Sequence, residues 1–171
     1  MTTLLVIGGA RSGKSGYAQS RIEALPGRLA FIATAEPGDA EMADRIARHQ
    51  AERGPRWTAY EAPLDLPASI LAAAATADAI LVDCLTLWLS NLMLHKRDLQ
   101  TEACALEEAL RRCTVPLALV TNEVGQGIVP MNALARRFRD EAGRLNQHMA
   151  RVATEVVLVT AGLPLTLKAA S

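Results

Sequence analysis

The sequence predicts an α/β fold in which helices cover both faces of a mostly parallel sheet. Half of the 171 residues are apolar but only 4% are aromatic, so Leu, Val, Ile and Ala must build the core. Short apolar runs alternate with helical patterns along the chain, which is typical of repeated β-α units. The length predicts a single domain over residues 1–171. Sheets of this kind bind ligands at the carboxyl ends of their strands.

Six short runs have the composition of strands. They are Leu4–Gly8, Leu29–Ala33, Trp57–Glu61, Ala79–Asp83, Leu117–Thr121 and Val156–Thr160. Four of them are continuously apolar rather than alternating, as expected of parallel strands that are covered on both faces. A further run, Leu163–Leu167, follows Gly162 so closely that it is predicted to turn back as an antiparallel edge strand, where Pro164 is tolerated.

Helical patterns lie between these runs. The predicted helices are Lys14–Leu25, Glu41–Arg53, Leu66–Ala75, Leu85–Leu94, Thr101–Arg112 and Asn132–Val152. The last is the clearest, because Leu134, Phe138, Leu145 and Met149 recur at spacings that place them on one helical face.

Charge and hydropathy narrow the range of partners. With 18 basic and 18 acidic residues the net charge is zero, which argues against the long-range attraction that nucleic acids or anionic membranes exert. The stretch Ala68–Leu89 is apolar enough to imitate a membrane span, but it contains Asp78 and Asp83. We therefore expect it to divide into helix, turn and strand, and we expect no nucleic-acid partner and no stable membrane insertion.

The cysteines predict a reducing environment. Cys84, Cys104 and Cys113 are odd in number and show no C-x-x-C spacing, so neither a disulfide framework nor a zinc site is expected. The amino terminus runs directly into glycines, without the basic start and cleavage site of a secretory signal. These features favour a cytoplasmic protein.

The segment Gly8–Ser15 carries the strongest motif in the chain. Its letters GGARSGKS satisfy G-x-x-x-x-G-K-[ST] between a predicted strand and a predicted helix. In such a phosphate loop (P-loop), backbone amides surround a phosphate, Lys14 bridges phosphates and Ser15 can hold Mg²⁺. An incidental glycine-rich turn is the alternative, but motif, strand and helix agree on a P-loop NTPase. Arg11 is either an additional cation for the phosphates or a plain surface residue.

Two carboxylates follow other strands. Asp83 is the best candidate for the residue that completes the Mg²⁺ shell in P-loop enzymes, although it could instead cap the next helix, and both roles can coexist. Glu123 lies beyond the strand Leu117–Thr121, before a loop that contains Gly125. It is either a substrate-side residue or an ordinary loop residue.

The predicted helix Glu41–Arg53 has a basic polar face. Arg45, Arg48 and His49 lie together there, and a solvated face is the ordinary explanation of such a stripe. Two arginines also disfavour protonation of the histidine, which leaves a neutral imidazole able to attack phosphorus. His95 and His148 lack comparable surroundings, with no obvious partner for His148, so neither is assigned a catalytic role.

Three motifs, which follow one another along the chain, together resemble the pattern of a known family. They are the phosphate loop, Arg45–Arg53 with the letters RIARHQAER, and Thr121–Pro130 with the letters TNEVGQGIVP. Together they resemble the bifunctional adenosylcobinamide kinase/adenosylcobinamide-phosphate guanylyltransferase family of cobalamin biosynthesis, over essentially the whole chain. The resemblance implies a RecA-like fold, phosphorylation of adenosylcobinamide with ATP or GTP, transfer of GMP from GTP to adenosylcobinamide phosphate through a guanylylated histidine, and a homotrimer.

The resemblance also implies site residues. The catalytic candidates are His49, as the guanylylated histidine, and Lys14. The nucleotide-binding candidates are Gly8, Gly9, Ala10, Arg11, Ser12, Gly13, Lys14, Ser15, Ala33, Thr34, Ala35, Gln50, Ala51, Glu52, Arg53, Glu61 and Asp83. Ser15 and Asp83 are the Mg²⁺ candidates.

Three other functions fit parts of the pattern. A monofunctional small-molecule kinase would use the phosphate loop without a covalent histidine. A RecA-like nucleic-acid motor is disfavoured because the chain has zero net charge and no basic-aromatic stripe. A GTP-dependent switch is disfavoured because no Asn-Lys-x-Asp element is found.

Overall fold

The computed structural model describes residues 2–36 and 54–170. The strands are β1 (Thr3–Gly8), β2 (Leu29–Ala33), β3 (Trp57–Glu61), β4 (Ala79–Asp83), β5 (Leu117–Asn122), β6 (Glu155–Thr160) and β7 (Leu163–Lys168). The helices are α1 (Lys14–Glu23), α2 (Leu66–Ala74), α3 (Leu85–Leu94), α4 (Leu99–Arg112) and α5 (Ala133–Val152). The predicted helix Glu41–Arg53, which contains His49, lies outside the described residues.

One sheet of seven strands contains them all, in the order β3-β2-β4-β5-β1-β6-β7. The first six strands are parallel, and β7 pairs antiparallel with β6 at the edge, as predicted. The turn between β6 and β7 places both Ala161 (φ 52°) and Gly162 (φ 79°) in the left-handed region. Two such residues in succession are typical of a tight hairpin turn.

Alternate side chains of each strand enter two apolar layers. Leu5, Ile32 and Val82 point into the layer beneath α2, α3, α4 and α5. Val6 and Leu81 point into the layer beneath α1. Helices therefore cover both faces as predicted, but unevenly among the described residues: α1 on one face and four helices on the other.

Two of the described helices start one or two residues away from the predicted position because of capping, whereas those at Lys14, Leu66 and Leu85 start as predicted. The Asp98 carboxylate accepts a hydrogen bond from the amide of Thr101 (2.7 Å), so α4 begins at Leu99 rather than at Thr101. Asn132, predicted as the first residue of α5, instead precedes it, and its side-chain oxygen accepts a hydrogen bond from the amide of Leu134 (2.8 Å).

Two histidines that were given no catalytic role have acidic partners in the structure. His95, at the end of α3, lies 3.1 Å from Glu36 between Nε2 and Oε1. The expectation that His148 has no partner is wrong, because its Nε2 lies 2.5 Å from Oε2 of Glu107 and so joins α5 to α4. Contact with His148, and then with Arg111, lowers the pKa of Glu107. The first pair joins the end of α3 to the segment after β2, and the second joins two helices.

The apolar stretch from residue 68 to residue 89 divides as expected into the end of α2, a turn, β4 and the start of α3. Within the described ranges, no helix has both the length and the apolar character needed to cross a membrane.

Candidate active site

The phosphate loop connects β1 to α1 at the carboxyl edge of the sheet. Gly8 has no room for a side chain, because a Cβ would come within 2.5 Å of Ser12 Oγ and 2.6 Å of the Val159 carbonyl oxygen. Gly13 takes the cap position of α1 with φ 93°, which favours glycine, and Arg11 is also left-handed at φ 54°. The motif's glycines thus permit the tight path that wraps backbone amides around an anion.

The charged and hydroxyl groups of the loop are pre-positioned. Lys14 is only 9% exposed, and its Nζ donates a hydrogen bond to the carbonyl of Gly9 at 3.1 Å. The Ser12 hydroxyl is buried and has no hydrogen-bond partner among the described residues. Ser15 is exposed in the first turn of α1, which carries no acidic residue that would repel a phosphate. An anion bound here would meet a lysine and the positive end of a helix.

The β6–β7 turn supports the phosphate loop from the side. The amide of Gly162 donates a hydrogen bond to the carbonyl of Ser12 at 2.9 Å. A Cβ on Gly13 would lie 3.3 Å from the Cα of Gly162, so the two glycines allow turn and loop to pack closely. The antiparallel edge of the sheet therefore helps to hold the loop in place.

The other candidate residues lie along the same edge at increasing distance. Asp83 ends β4, Ala33 ends β2 beside it, and Glu61 ends β3 opposite Ala33. Because neighbouring strands lie about 4.8 Å apart, Asp83 is roughly 10 Å, Ala33 roughly 14 Å and Glu61 roughly 19 Å across the sheet from Gly8. Asp83 is thus the nearest of these three residues to the phosphate loop, with β5 between them, and Glu61, which is exposed, lies at the far end of the edge.

Thr34 is fully buried and all of its polar groups have partners. Its hydroxyl donates to the Cys84 carbonyl (2.7 Å) and accepts from the Cys84 amide (2.9 Å). Its own carbonyl accepts a hydrogen bond from Nδ2 of Asn91 at 2.7 Å, and its amide donates to the carbonyl of Asp83 at 3.4 Å. Thr34 therefore fixes the ends of β2 and β4 relative to each other, whereas Ala35 is half-buried at the surface of the edge.

Asp83 does not cap the following helix. Cys84 occupies the cap position of α3, without a side-chain capping hydrogen bond, so the capping alternative is wrong. The peptide bond between Asp83 and Cys84 is cis. Burial, and then the neighbouring Asp83 carboxylate, raise the pKa of the Cys84 thiol. That thiol stays neutral and is unsuited to act as a nucleophile.

The donor set at this edge fits Mg²⁺. Asp83 supplies a half-buried carboxylate and Ser15 an exposed hydroxyl. Helix α1, which starts with Ser15 in its first turn, packs against β4, the strand that ends with Asp83, and against β5. Oxygen donors of this kind are those that Mg²⁺ prefers. Among the described residues no group of three or more His, Cys, Asp and Glu side chains is arranged around a common point. A cation held here would take further oxygens from phosphates and water, as Mg²⁺ in nucleotide sites does.

Glu123 begins the loop after β5, next to the phosphate loop. Its amide donates to the Gly8 carbonyl at 3.0 Å, and its Oε1 accepts a hydrogen bond from the Gly125 amide at 2.6 Å. The half-buried side chain thus shapes its own loop, and the backbone amide joins that loop to the phosphate loop.

A buried polar network lies beneath this loop and was not predicted. The Thr121 hydroxyl donates to Oδ1 of Asn146 at 2.7 Å, and Nδ2 of Asn146 donates to the Asn122 carbonyl at 3.0 Å. The Thr86 hydroxyl accepts the Asn122 amide at 2.7 Å. The signal in the sequence was Asn146 itself, a polar residue between Leu145 and Met149 on the apolar face of α5.

Sequence comparison decides the family. A family model described as cobinamide kinase/cobinamide phosphate guanyltransferase matches residues 4–167. The chain belongs to this family. It is 46% identical over 167 residues to the bifunctional adenosylcobalamin biosynthesis protein CobP of Pseudomonas aeruginosa, covering 96% of each chain. It is 42% identical over 180 residues to the bifunctional adenosylcobalamin biosynthesis protein CobU of Salmonella typhimurium, covering 96% of this chain and 99% of that one.

Solved structures confirm the predicted fold class. The KaiC-like protein PH0186 of Pyrococcus horikoshii matches with a TM-score of 0.53 at 17% identity, covering 92% of this chain and 71% of its own. The protein PH0250 of the same organism matches with a TM-score of 0.55 at 8% identity, covering 99% and 87%. The chain has a P-loop NTPase fold with a RecA-like, mostly parallel sheet, and as a member of the cobinamide kinase family it is a nucleotide-binding enzyme.

Proposed function

We propose that the chain phosphorylates adenosylcobinamide with ATP or GTP and then transfers GMP from GTP to adenosylcobinamide phosphate, giving adenosylcobinamide-GDP and pyrophosphate. Family membership supports the pair of reactions. The observation that carries the proposal is the phosphate loop: a preformed anion cradle with Lys14 folded against Gly9, at the edge where Asp83 ends β4. One domain, residues 1–171, would perform both steps.

The kinase step requires positioning and charge neutralisation. The substrate hydroxyl would release its proton to water and its oxygen would bond to the γ-phosphorus, while the bond from that phosphorus to the β,γ-bridging oxygen breaks and the nucleoside diphosphate leaves. Lys14 and the amides of Gly8–Ser15 would hold the β- and γ-phosphates. Ser15 and Asp83 would hold Mg²⁺, which supplies charge neutralisation on the phosphates when bound. We place Glu123 on the substrate side, next to Gly8.

The guanylyl step uses the same loop with a different nucleophile. A neutral nitrogen of His49 would bond to the α-phosphorus, and pyrophosphate would leave. An oxygen of the substrate phosphate would then attack this phosphorus and break the P–N bond. An ordinary histidine has a pKa of about 6.5. Because the positive charges of Arg45 and Arg48 flank His49 in the predicted helix and disfavour its protonation, we expect the imidazole to be neutral near pH 7.

The remaining nucleotide contacts are proposed at the motifs that the chain shares with the family. We propose that Ala33–Ala35 and Glu61 line the nucleotide along the strand ends, with Thr34 acting by fixing that edge. Gln50–Arg53 would act beside His49. We also propose a homotrimer, whose mass in sedimentation analysis would be three times the 18.3 kDa of the chain.

Labelled GTP tests the covalent step. Label from the α-phosphate should remain on the denatured protein and label from the γ-phosphate should not. The adduct should survive alkali and be lost in acid, as P–N bonds do, and its formation should fade only in mild acid. His49→Ala should abolish this label while measurable kinase activity remains, because the hydroxyl that attacks the γ-phosphate does not need the imidazole. A folded His49→Ala protein that still accumulates alkali-stable GMP would identify another nucleophile.

A further inference from the structure

The loop of residues 123–131, which we call the apolar loop, presents large apolar side chains to solvent. Ile128 and Met131 are both 98% exposed, the most exposed large apolar side chains in the described part of the chain. Val129 in the loop and Leu134 at the start of α5 are more than half exposed. Single exposed apolar residues are ordinary, but a cluster of them marks a binding surface.

Both ends of the apolar loop are fixed by hydrogen bonds. At its start, the Glu123 carboxylate accepts the Gly125 amide at 2.6 Å. At its end, Nη1 of Arg136 donates to the carbonyls of Pro130 (2.9 Å) and Met131 (2.6 Å). The apolar side chains therefore stand on an ordered backbone and do not fold back onto the core.

The apolar loop borders the phosphate loop on one side. The Glu123 amide is bonded to the Gly8 carbonyl at 3.0 Å, and Asn122 lies opposite Gly8 in the sheet register. From this shared edge, the phosphate loop leads to α1 on one face of the sheet and the apolar loop leads to α5 on the other. A ligand resting on the apolar loop would approach the phosphates from the side that α1 does not cover.

We propose that the apolar loop binds the corrin ring of the substrate, with Ile128 and Met131 packed against methyl groups on its edge. This inference rests on the proposed function. A corrin is a broad macrocycle whose edge carries methyl groups between its amide arms, so an apolar surface next to the site where one arm reacts can pack against those methyl groups. The register of Asn122 with Gly8 puts the loop's first residue beside the phosphate loop, where that arm must reach.

The test measures cobinamide binding directly, by equilibrium dialysis of the coloured corrinoid in the absence of nucleotide. In the double variant Ile128→Ser/Met131→Ser, the Kd for cobinamide should rise about tenfold because two apolar contacts are lost. The Kd for GTP and the amount of protein-bound GMP should not change. The conservative pair Ile128→Val/Met131→Leu should retain binding. Leu94→Ser, at another exposed apolar residue (67% exposed), is the matched control.

Two outcomes would overturn the proposal. One is an unchanged cobinamide Kd in the double variant. The other is a fall in the native mass of the double variant, since that would show that a second copy of the chain covers the loop. Failure of the proposed function has a different signature. The wild-type protein would then neither bind nor phosphorylate cobinamide, even if it still formed the GMP adduct, whereas failure of the present inference leaves cobinamide binding intact in both the wild type and the double variant. Melting temperatures of all variants verify that each is folded.

Discussion

Lys14 lies inside the phosphate loop with little of its surface exposed, and its Nζ donates a hydrogen bond to a backbone carbonyl. The hydrogen bond to Gly9 holds the ammonium group in the phosphate loop before nucleotide arrives. We predict that Lys14→Ala lowers kcat/KM of both reactions about a hundredfold or more, because each needs the triphosphate neutralised and positioned. Initial rates of phosphoryl and guanylyl transfer measure this. Arg112→Ala, an exposed cation on α4, is the control, and near-normal rates in folded Lys14→Ala would contradict a shared phosphate loop.

Asp83 and Ser15 are tested by the concentration of Mg²⁺ that activity requires. Asp83→Asn keeps the shape of the side chain but removes its charge, and Ser15→Ala removes the hydroxyl donor. We expect each to raise the Mg²⁺ concentration at half-maximal activity about tenfold. Asp65→Asn, an exposed carboxylate before α2, should have no effect. An unchanged Mg²⁺ requirement in folded Asp83→Asn would remove this residue from the metal site.

At the scale of elements, α1 is tied to β6 by an ion pair. Nη1 and Nη2 of Arg21 donate to the two carboxylate oxygens of Glu155 at 2.9 and 2.7 Å. The hydrogen bonds from Arg21 lower the pKa of Glu155. A carboxylate with a lowered pKa stabilises the fold above its ordinary pKa, and this contribution is lost as the pH falls through the folded-state value.

We therefore predict that Glu155→Gln destabilises the protein by about 1 kcal/mol at pH 7, a modest value because Arg21 is partly exposed. The difference from wild type should shrink below the ordinary glutamate pKa of about 4.3. Urea unfolding between pH 3 and pH 7 measures both. The double-mutant cycle with Arg21→Gln isolates the pair, and a difference that stays constant with pH would refute an ionic contribution.

The boundaries of strands and helices were predictable where local composition sets them. They were not predictable where contacts between distant parts of the chain, or capping side chains, set them. β2, β3 and β4 match the predicted ranges because turn residues bound their apolar or β-branched runs. The start of α4 moved because Asp98 caps it, which pattern alone does not show. The unequal division of helices between the two faces was also hidden, since the face on which a helix packs depends on how the chain crosses the sheet.

The candidate site was predictable to a similar extent. Parallel strands bring their carboxyl ends to one edge, so Gly8, Asp83 and Glu61 were expected to share it, and they do. What Thr34 does was not predictable, because its role depends on Cys84 and Asn91, which are distant in sequence. The support of the phosphate loop by Gly162 was hidden for the same reason.

At the scale of the whole molecule, the described residues contain one phosphate loop for two proposed reactions. The family is described by both activities. The other candidate residues at strand ends lie along the same carboxyl edge of the one sheet as this loop. The kinase and guanylyl steps should then exclude each other at any moment, since the loop can hold only one triphosphate.

We predict that a GTP analogue that is blocked at both its α,β and β,γ bridges inhibits both reactions with the same inhibition constant, competitively against the nucleotide. The inhibition constants come from separate assays of phosphoryl transfer to cobinamide and of GMP transfer to the protein. At 100 times its Kd the analogue should also stabilise the fold by about 2.7 kcal/mol, because it binds only the native state. Lys14→Ala should lose this stabilisation. Two inhibition constants that differ tenfold or more would show separate nucleotide sites for the two steps.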